Sequence, residues 1–185
     1  MKILFKPSAW KILKLFYENK NKPIHLREIA RRTGLNESTI SGHLNGLVKS
    51  GILSVEREAN LKKFYVENVP EIFPIFDSEK LNSLSSKDKN SIKDYLDSLE
   101  IKPVILLVSI DNNKIELISV GDNREDNYSV NRKDNEKLGW GKRGNEVKFK
   151  ITKIKEKELK KELSARKQAF PVFNAKYFYE VVYND

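Results

Sequence analysis

Residues 28–53, which read EIARRTGLNESTISGHLNGLVKSGIL, decide the fold of the first part of the chain. One helix, within the run LREIARRTG, ends at Gly34, a residue that accepts the left-handed conformation common just after a helix. Asn36 is suited to cap a further helix that reaches about Ser50 and ends at Gly51. Two helices separated by a short Gly-Leu turn predict a helix-turn-helix.

Apolar residues recur at helical spacing along the second of these helices and predict its buried face. This face comprises Leu35, Ile40, Leu44 and Leu47. Ala30 lies where the two helices approach most closely and only a small residue fits. The residues predicted to point outward are short, polar or glycine: Ser38, Thr39, Ser41, Gly42, His43, Asn45, Gly46 and Lys49.

These outward residues are poor choices for a helix that serves packing alone. Each glycine costs about 1 kcal/mol relative to alanine in a helix. Short polar side chains, however, allow a helix to lie deep in a DNA major groove about 12 Å wide and to reach base edges and phosphates. The sequence therefore predicts that residues 37–50 bind DNA, with Asn36 at the start. For His43, an exposed or locally hydrogen-bonded histidine is the alternative.

Two alternating segments, residues 52–57 and 61–67, flank the turn EAN and predict a β-hairpin. We expect this hairpin, residues 53–66, to form a wing that contacts the DNA backbone or the minor groove. Basic residues expected to hold phosphates are Arg57, Lys62 and Lys63 around the wing tip and Arg27, Arg31 and Arg32 on the preceding helix. Such contacts fix register and weaken with salt, and they carry no sequence information.

The run LREIARRTGLNESTISGHLNGLVKSGIL followed by VEREANLKKFYV resembles the winged helix-turn-helix domain of ArsR- and MarR-type transcription regulators. The resemblance covers about residues 8–68. It implies DNA binding, including through His43. Paired recognition helices that read half-sites about one turn apart further suggest a homodimer. A winged helix used only for protein contacts is the alternative.

The segments around this domain complete the first half of the chain. Ser8 looks like the cap of a first helix over residues 9–18. Residues 69–101 predict a packed connector rich in proline and large apolar side chains, followed by a helix that opens at Ser85 or Ser86. The first helix and residues 86–99 are candidate dimer surfaces.

Residues 102–185 predict a small α+β domain with a mixed sheet. VILLVSI and IELISV form a hairpin across the turn DNNK, and EVKFKITKI forms a third strand. The run KEKELKKELSARK predicts a polar helix, and YFYEVV a short strand or helical turn. The fold class is therefore α+β, with a winged helix of three helices plus a hairpin at residues 1–68, the connector and helix at 69–101, and this domain.

Residues 102–183 weakly resemble the nucleotidyltransferase-like domain that some archaeal regulators join to a winged helix. In that family a Gly-Ser pair and an Asp-x-Asp motif support metal-dependent phosphoryl transfer. Here IDNNK replaces the Gly-Ser segment, and Lys114 and Glu116 occupy the Asp-x-Asp positions. One carboxylate beside a lysine cannot hold two Mg²⁺ ions, so the resemblance implies a degenerate, inactive domain.

Two further patterns in the second half have ordinary explanations. GWGKRG, residues 139–144, matches a dinucleotide fingerprint but precedes a strand, so we expect a loop. The lysine-rich run KITKIKEKELKKELSARK contains interleaved glutamates, which favours a solvated helix face. A second DNA contact is the alternative for this run.

Composition limits the remaining classes of function. The chain has 185 residues, a formal net charge of +9, no cysteine and two histidines. Net charge is +7 over residues 1–68, −5 over 69–131 and +7 over 132–185. A basic protein of this kind favours a polyanionic partner, and the lack of cysteine and of clustered histidine excludes the usual zinc sites. We expect no metal, no cofactor, no signal peptide and no membrane span, and hence a cytoplasmic protein.

The sequence therefore predicts a sequence-specific regulator of transcription that binds double-stranded DNA, forms a homodimer and has no catalytic residues. Two other classes of function stay open. One is a nucleotidyltransferase-like enzyme or a toxin/antitoxin component. Such an enzyme needs clustered carboxylates on adjacent strands. The other is a protein-interaction module that recruits the basal transcription machinery.

Overall fold

The computed structural model describes residues 6–58, 60–111, 114–121, 149–166 and 168–183. They form two compact units, one ending at Phe76 and the other beginning at Asp77. The expected loop at residues 139–144 and parts of the turns EAN and DNNK lie outside the described residues, as do residues 146–148 of the third predicted strand. Across the described ranges, no helix is long and apolar enough to cross a membrane.

The first unit contains the helices and strands of a winged helix-turn-helix. Its elements are α1 (Pro7–Glu18), β1 (Ile24–His25), α2 (Leu26–Thr33), α3 (Glu37–Lys49), β2 (Leu53–Glu58), β3 (Leu61–Val66) and the first half of α4 (Val69–Ser83). The three strands form an antiparallel sheet in the order β1-β3-β2. Three helices followed by this hairpin confirm the fold predicted from the sequence.

Local backbone chemistry explains where the helices begin and end. Gly34 has φ +68°, and its N–H donates to Ala30 O at 2.9 Å, so α2 ends as the sequence predicts. The predicted cap at Ser8 is wrong, because α1 begins at Pro7, two residues before the predicted start, and its cap position is Lys6. Pro7 at the first helical position has its φ fixed near the helical value, which places Ser8 inside the first turn.

The core of the first unit lies between the helices and the sheet. Its fully buried side chains include Ile12, Leu13, Phe16, Ile29, Ile40, Leu44 and Leu47. The predicted connector begins as the regular helix α4, whose Phe73 and Phe76 rings lie 5.3 and 5.2 Å from the Tyr17 ring. Burial of these rings compensates for the helical hydrogen bond that Pro74 removes.

The second unit is a four-stranded mixed sheet with helices. Its elements after α4 are α5 (Ser86–Ser98), β4 (Ile105–Asp111), β5 (Lys114–Gly121), β6 (Lys150–Lys155), a 3₁₀ turn (Glu156–Glu158), α6 (Leu159–Ala165), β7 (Phe170–Phe173) and α7 (Ala175–Tyr183). The strand order is β6-β5-β4-β7, with β5 and β6 parallel and the other pairs antiparallel. The mixed sheet confirms the predicted α+β class.

Helix α5 covers one face of this sheet. Ile92 packs in a buried cluster with Leu106, Val108, Leu117 and Phe170. Leu106 and Val108 alternate along β4, as expected for one face of a strand. Strand β7 was not predicted, and the segment YFYEVV, left open between strand and helix, belongs to helix α7.

Candidate nucleic-acid interface

Helix α3 presents a narrow exposed row of small and polar residues opposite its buried leucines. We call Ser38, Gly42, Asn45 and Lys49 the outer stripe; these residues are three or four positions apart and all are exposed. Thr39 is exposed beside the stripe. The predicted residues Ser41, His43 and Gly46 are half-buried and lie at its flanks.

Gly42 lies at the middle of the outer stripe and has no packing role. A methyl group placed on this glycine would meet no atom within 4 Å. Its helical backbone also does not require the left-handed conformation in which glycine is favoured. The interior of the unit therefore does not explain why a glycine, a poor helix former, occupies this position.

Asn36, a predicted DNA contact, has a structural role in the fold. Its Oδ1 accepts a hydrogen bond of 2.7 Å from Thr39 N and so caps the first turn of α3. The side chain is exposed and lies at the start of the helix that carries the outer stripe. The first-turn residue Glu37 adds a favourable negative charge at this helix end.

Replacing Asn36 by alanine is expected to lower the free energy of unfolding by about 1 kcal/mol, because Thr39 N–H loses its partner. Asn36→Ser, which retains a capping oxygen, should restore most of the loss. Urea unfolding of the full chain followed by circular dichroism measures both. Unchanged stability in Asn36→Ala would show that the cap contributes nothing.

The arginines of α2 are held by acidic neighbours. Arg31 donates to Glu28 through Nε at 2.8 Å and through its terminal nitrogen at 2.6 Å, and Arg32 Nε donates to the same carboxylate at 2.5 Å. Arg27 lies 3.9 Å from Glu37, and both side chains are exposed. Exposed ion pairs are weak, so these arginines keep the ability to contact a phosphate.

The paired arginines lower the pKa of Glu28. Hydrogen bonds from Arg31 and then Arg32 lower the pKa of Glu28 from 4.5 to about 2. Because the pKa is lower in the folded chain, the carboxylate stabilises the fold above about pH 4.5, and this contribution disappears as the pH falls toward 2. We expect Glu28→Gln to have a lower urea midpoint of unfolding than wild type at neutral pH. Near pH 2 the urea midpoints of the two proteins should be nearly equal. A gap that persists in acid would contradict this.

The wing carries two basic residues directly opposite each other. Arg57 on β2 pairs in register with Lys62 on β3, near the turn of the hairpin. Together with Asn60 and Leu61 they line an open depression of about 170 Å³. Like charges facing each other across two strands oppose pairing of the strands, and an anion bound between them would remove the repulsion.

Lys63 does not share this position. Because side chains alternate along a strand, it lies on the opposite face of the hairpin from Lys62. Its ammonium forms an ion pair with Glu58, and the hydrogen bond from Lys63 lowers the pKa of Glu58. Arg57 and Lys62 therefore lie next to each other on one face of the hairpin, and Lys63 lies on the other face.

Glu28 and Glu58, the partners of these basic residues, are not among the residues predicted from the sequence. For Glu28 a signal existed, since Arg31 and Arg32 follow at the three- and four-residue spacing that brings side chains together on a helix. Glu58 approaches Lys63 only through the register of the hairpin, which the sequence alone leaves open.

Glu116, at the position of the expected degenerate metal motif, is occupied by internal partners. Its carboxylate accepts hydrogen bonds from Thr152 Oγ1 at 2.6 Å and from Arg166 at 3.2 and 3.3 Å, and Lys150 Nζ lies 3.3 Å away. Burial raises the pKa of Glu116, but the hydrogen bonds from Arg166 and Thr152 outweigh it and lower the pKa overall. The described part of the chain contains no group of three or more potential metal-binding side chains.

Comparison with known proteins identifies the helix-turn-helix. Residues 9–57 match the family model of the IclR helix-turn-helix domain. A search of the curated proteins finds no significant match. The match covers α1 to α3 and most of β2, the part of the first unit that carries the outer stripe.

Several solved structures are similar to about half of the chain. A homodimeric winged helix-turn-helix DNA-binding domain from Mycobacterium bovis, a possible ArsR-family regulator, is 24% identical over 45% of this chain and 77% of that chain, with TM-score 0.38. The transcriptional regulator SlyA is 19% identical over 50% and 71% of the two chains, with TM-score 0.36. MepR of Staphylococcus aureus, a regulator of the multidrug efflux pump MepA, is 17% identical over 50% and 75%, with TM-score 0.33.

These TM-scores are all below 0.5, so the assignment of the first unit rests on the family match to residues 9–57 and on its own geometry. The first unit has a winged helix-turn-helix fold, and its residues 9–57 match the IclR helix-turn-helix domain. The resemblance of residues 102–183 to a nucleotidyltransferase-like domain finds no support in the comparisons.

Proposed function

We propose that the protein regulates transcription by binding double-stranded DNA with α3 in the major groove. The observation that carries this proposal is the outer stripe. Its exposed Gly42 makes the helix less stable than alanine would, and packing does not require a glycine there. A flat, small surface of this kind suits close approach to base pairs in the groove.

The residues of the first unit divide into two proposed roles. Ser38 and Asn45 are assigned to base edges, since an asparagine side chain pairs with adenine through two hydrogen bonds. Lys49, Arg27 and Arg31 are assigned to phosphates. On the wing, Arg57 and Lys62 contact the backbone or the minor groove, where they increase affinity for all sequences.

The proposal includes a homodimer that acts in the cytoplasm. Regulators of this kind read two half-sites about one helical turn apart, so two copies of α3 are needed for a two-fold operator. The sequence suggests an archaeal-like architecture, with the second unit serving dimerisation or contact with a partner such as the basal transcription machinery.

We infer no catalytic role for the second unit. Glu116 is neutralised by Arg166 and Lys150, and a carboxylate held in this way is a poor ligand for a catalytic Mg²⁺ ion. Titration with Mg²⁺ and nucleotides checks this assignment, because tight binding followed by turnover would favour the enzymatic alternative.

Selection of bound duplexes from a random library tests the DNA-binding proposal. Wild type should enrich a defined motif, and Asn45→Ala should lose preference at one base pair, by about 1–3 kcal/mol. Ser41→Ala combined with His43→Ala should change preference less, because both side chains lie at the flanks of the stripe. Asn90→Ala, an exposed asparagine on α5, is the matched control.

Enrichment of no motif by wild type would overturn the proposal for sequence-specific binding. An Asn45→Ala variant that retains the full preference would remove the assignment of Asn45 to a base edge. A change in Asn90→Ala equal to that in Asn45→Ala would show that the loss does not come from α3.

A further inference from the structure

His25 occupies the position before helix α2 where a side chain commonly caps the helix. Serine, threonine, aspartate and asparagine are favoured there, because their side-chain oxygens accept from free N–H groups of the first turn. The His25 backbone is extended, as at an ordinary N-cap, but its side chain makes no capping hydrogen bond. The start of α2 therefore does not explain why a histidine stands at this position.

The His25 side chain instead contacts the wing. Its Nδ1 lies 3.2 Å from the carbonyl oxygen of Lys62, a residue of β3 that follows 37 positions later in the chain. A carbonyl oxygen can only accept a hydrogen bond, so Nδ1 carries the proton and donates it. The residue that receives this hydrogen bond is one of the two cations that face each other across the hairpin.

This hydrogen bond lies where the hairpin extends beyond the three-stranded part of the sheet. Strand β1 has two residues, and its pairing with β3 ends at His25 and Lys63. Beyond this pair, β2 and β3 continue toward the turn as a two-stranded ribbon. A ribbon of two strands is marginally stable and strongly twisted, so its direction depends on how its base is held. The His25 side chain extends the connection of β1 to β3 by one residue, to Lys62.

His25 is also close in sequence to the phosphate contacts proposed for α2. Arg27 follows two residues later in the first turn of the helix, and its side chain is exposed. His25 therefore connects the two groups of cations that the proposed function assigns to DNA, one on α2 and one on the wing. Contacts at two places on a duplex reinforce each other when their spacing is fixed before binding.

We infer that His25 is a positioning residue that holds the wing relative to α2, so that Arg57 and Lys62 reach the duplex while α3 lies in the groove. The inference rests on the proposed function and gives His25 no DNA contact of its own. The hydrogen bond to Lys62 orders the base of the wing in the free protein, so binding does not have to order it.

A double-mutant cycle in the full-length chain tests this inference. His25→Ser cannot reach Lys62, but it places a favoured capping residue before α2, so its urea midpoint should stay close to that of wild type. The affinity for a duplex that carries the selected motif is measured against salt concentration. The same substitution is then measured in a background that combines Arg57→Gln and Lys62→Gln.

In the wild-type background, His25→Ser should lower DNA affinity by about 3- to 10-fold, the effect of one lost hydrogen bond. The salt slope should fall by up to about 2, the value for both wing cations. In the background that lacks these cations, His25→Ser should change the affinity by less than about twofold, because the groups through which it acts are gone. The selected motif should match that of wild type.

Asn21→Gly is the matched control for lost stability. Asn21 also binds β3 through its side chain, since it donates to Val66 O at 2.9 Å and accepts from Val66 N at 2.7 Å, but at the end of the strand away from the turn. Its φ of +52° is a conformation that glycine accepts. This variant should lower the urea midpoint and leave DNA affinity and salt slope unchanged.

The possible failures can be told apart. Unchanged affinity in His25→Ser overturns the inference and leaves the proposed function intact. A loss that persists without Arg57 and Lys62 also overturns it, because His25 would then act on DNA directly or through the whole fold. An equal loss in Asn21→Gly overturns it as well, because the loss would reflect stability alone. If wild type binds no duplex, the proposed function fails and the inference fails with it.

Discussion

Gly42→Leu is expected to abolish sequence-specific DNA binding while leaving the fold as stable as wild type or more stable. The Cβ of residue 42 points into open space, so the fold can accept the larger side chain. Leucine favours the helix over glycine by about 0.5–1 kcal/mol. In the groove the same side chain would hold the backbone of α3 away from the bases, and the loss of two or more base contacts corresponds to about 100-fold or more in affinity.

Gly42→Leu is expected to lower DNA affinity without lowering the stability of the fold, so a loss of binding cannot be attributed to unfolding. Binding is measured by fluorescence anisotropy with the selected motif and with a scrambled duplex, and stability by urea unfolding. Asn90→Leu places an exposed leucine on α5 and controls for non-specific effects of an apolar surface residue. If Gly42→Leu binds the motif as tightly as wild type, α3 does not lie in the groove by this face.

The helix-turn-helix could be predicted from the sequence because its signals are local. Gly34 and Asn36 act through hydrogen bonds within three or four residues, and both do in the structure what their chemistry implies. The buried face of α3 follows from a regular spacing of apolar residues, and Ile40, Leu44 and Leu47 are fully buried.

The elements that escaped prediction depend on contacts distant in sequence. The sequence predicts only a packed connector over the segment of α4, and the packing of Phe73 and Phe76 against Tyr17 favours a helix there despite Pro74. Strand β7 has only four residues and includes Pro171, and its pairing with β4 depends on a partner some sixty residues away. Local propensity carries no information about either contact.

The candidate site also has one part that local spacing predicts and another that depends on contacts distant in sequence. The exposed row on α3 follows from helical geometry, so the outer stripe was contained within the predicted set of residues. Within the predicted set, Ser41 and His43 are half-buried and lie at the flanks of this row. The grouping of charges on the wing depends on the strand register, which separates Lys63 from Lys62 although they are neighbours in sequence.

Combined replacement of Arg57 and Lys62 by glutamine is expected to weaken binding to all duplexes by about 10- to 100-fold at low salt and to lower the salt slope by about 2. Sequence preference should persist, because phosphate contacts carry no base information. The free energy of unfolding should stay the same or rise by a few tenths of a kcal/mol, since the two cations face each other across the strands.

A control of equal charge separates the wing from net charge. Lys11→Gln combined with Lys63→Gln also removes two positive charges, one from the exposed side of α1 and one already paired with Glu58. Long-range attraction to DNA depends on total charge and should fall similarly in both variants, but the salt slope counts phosphates in contact. Only the loss of Arg57 and Lys62 should therefore change the slope by about 2. An equal change in both variants would mean that the paired cations of the wing touch no phosphate.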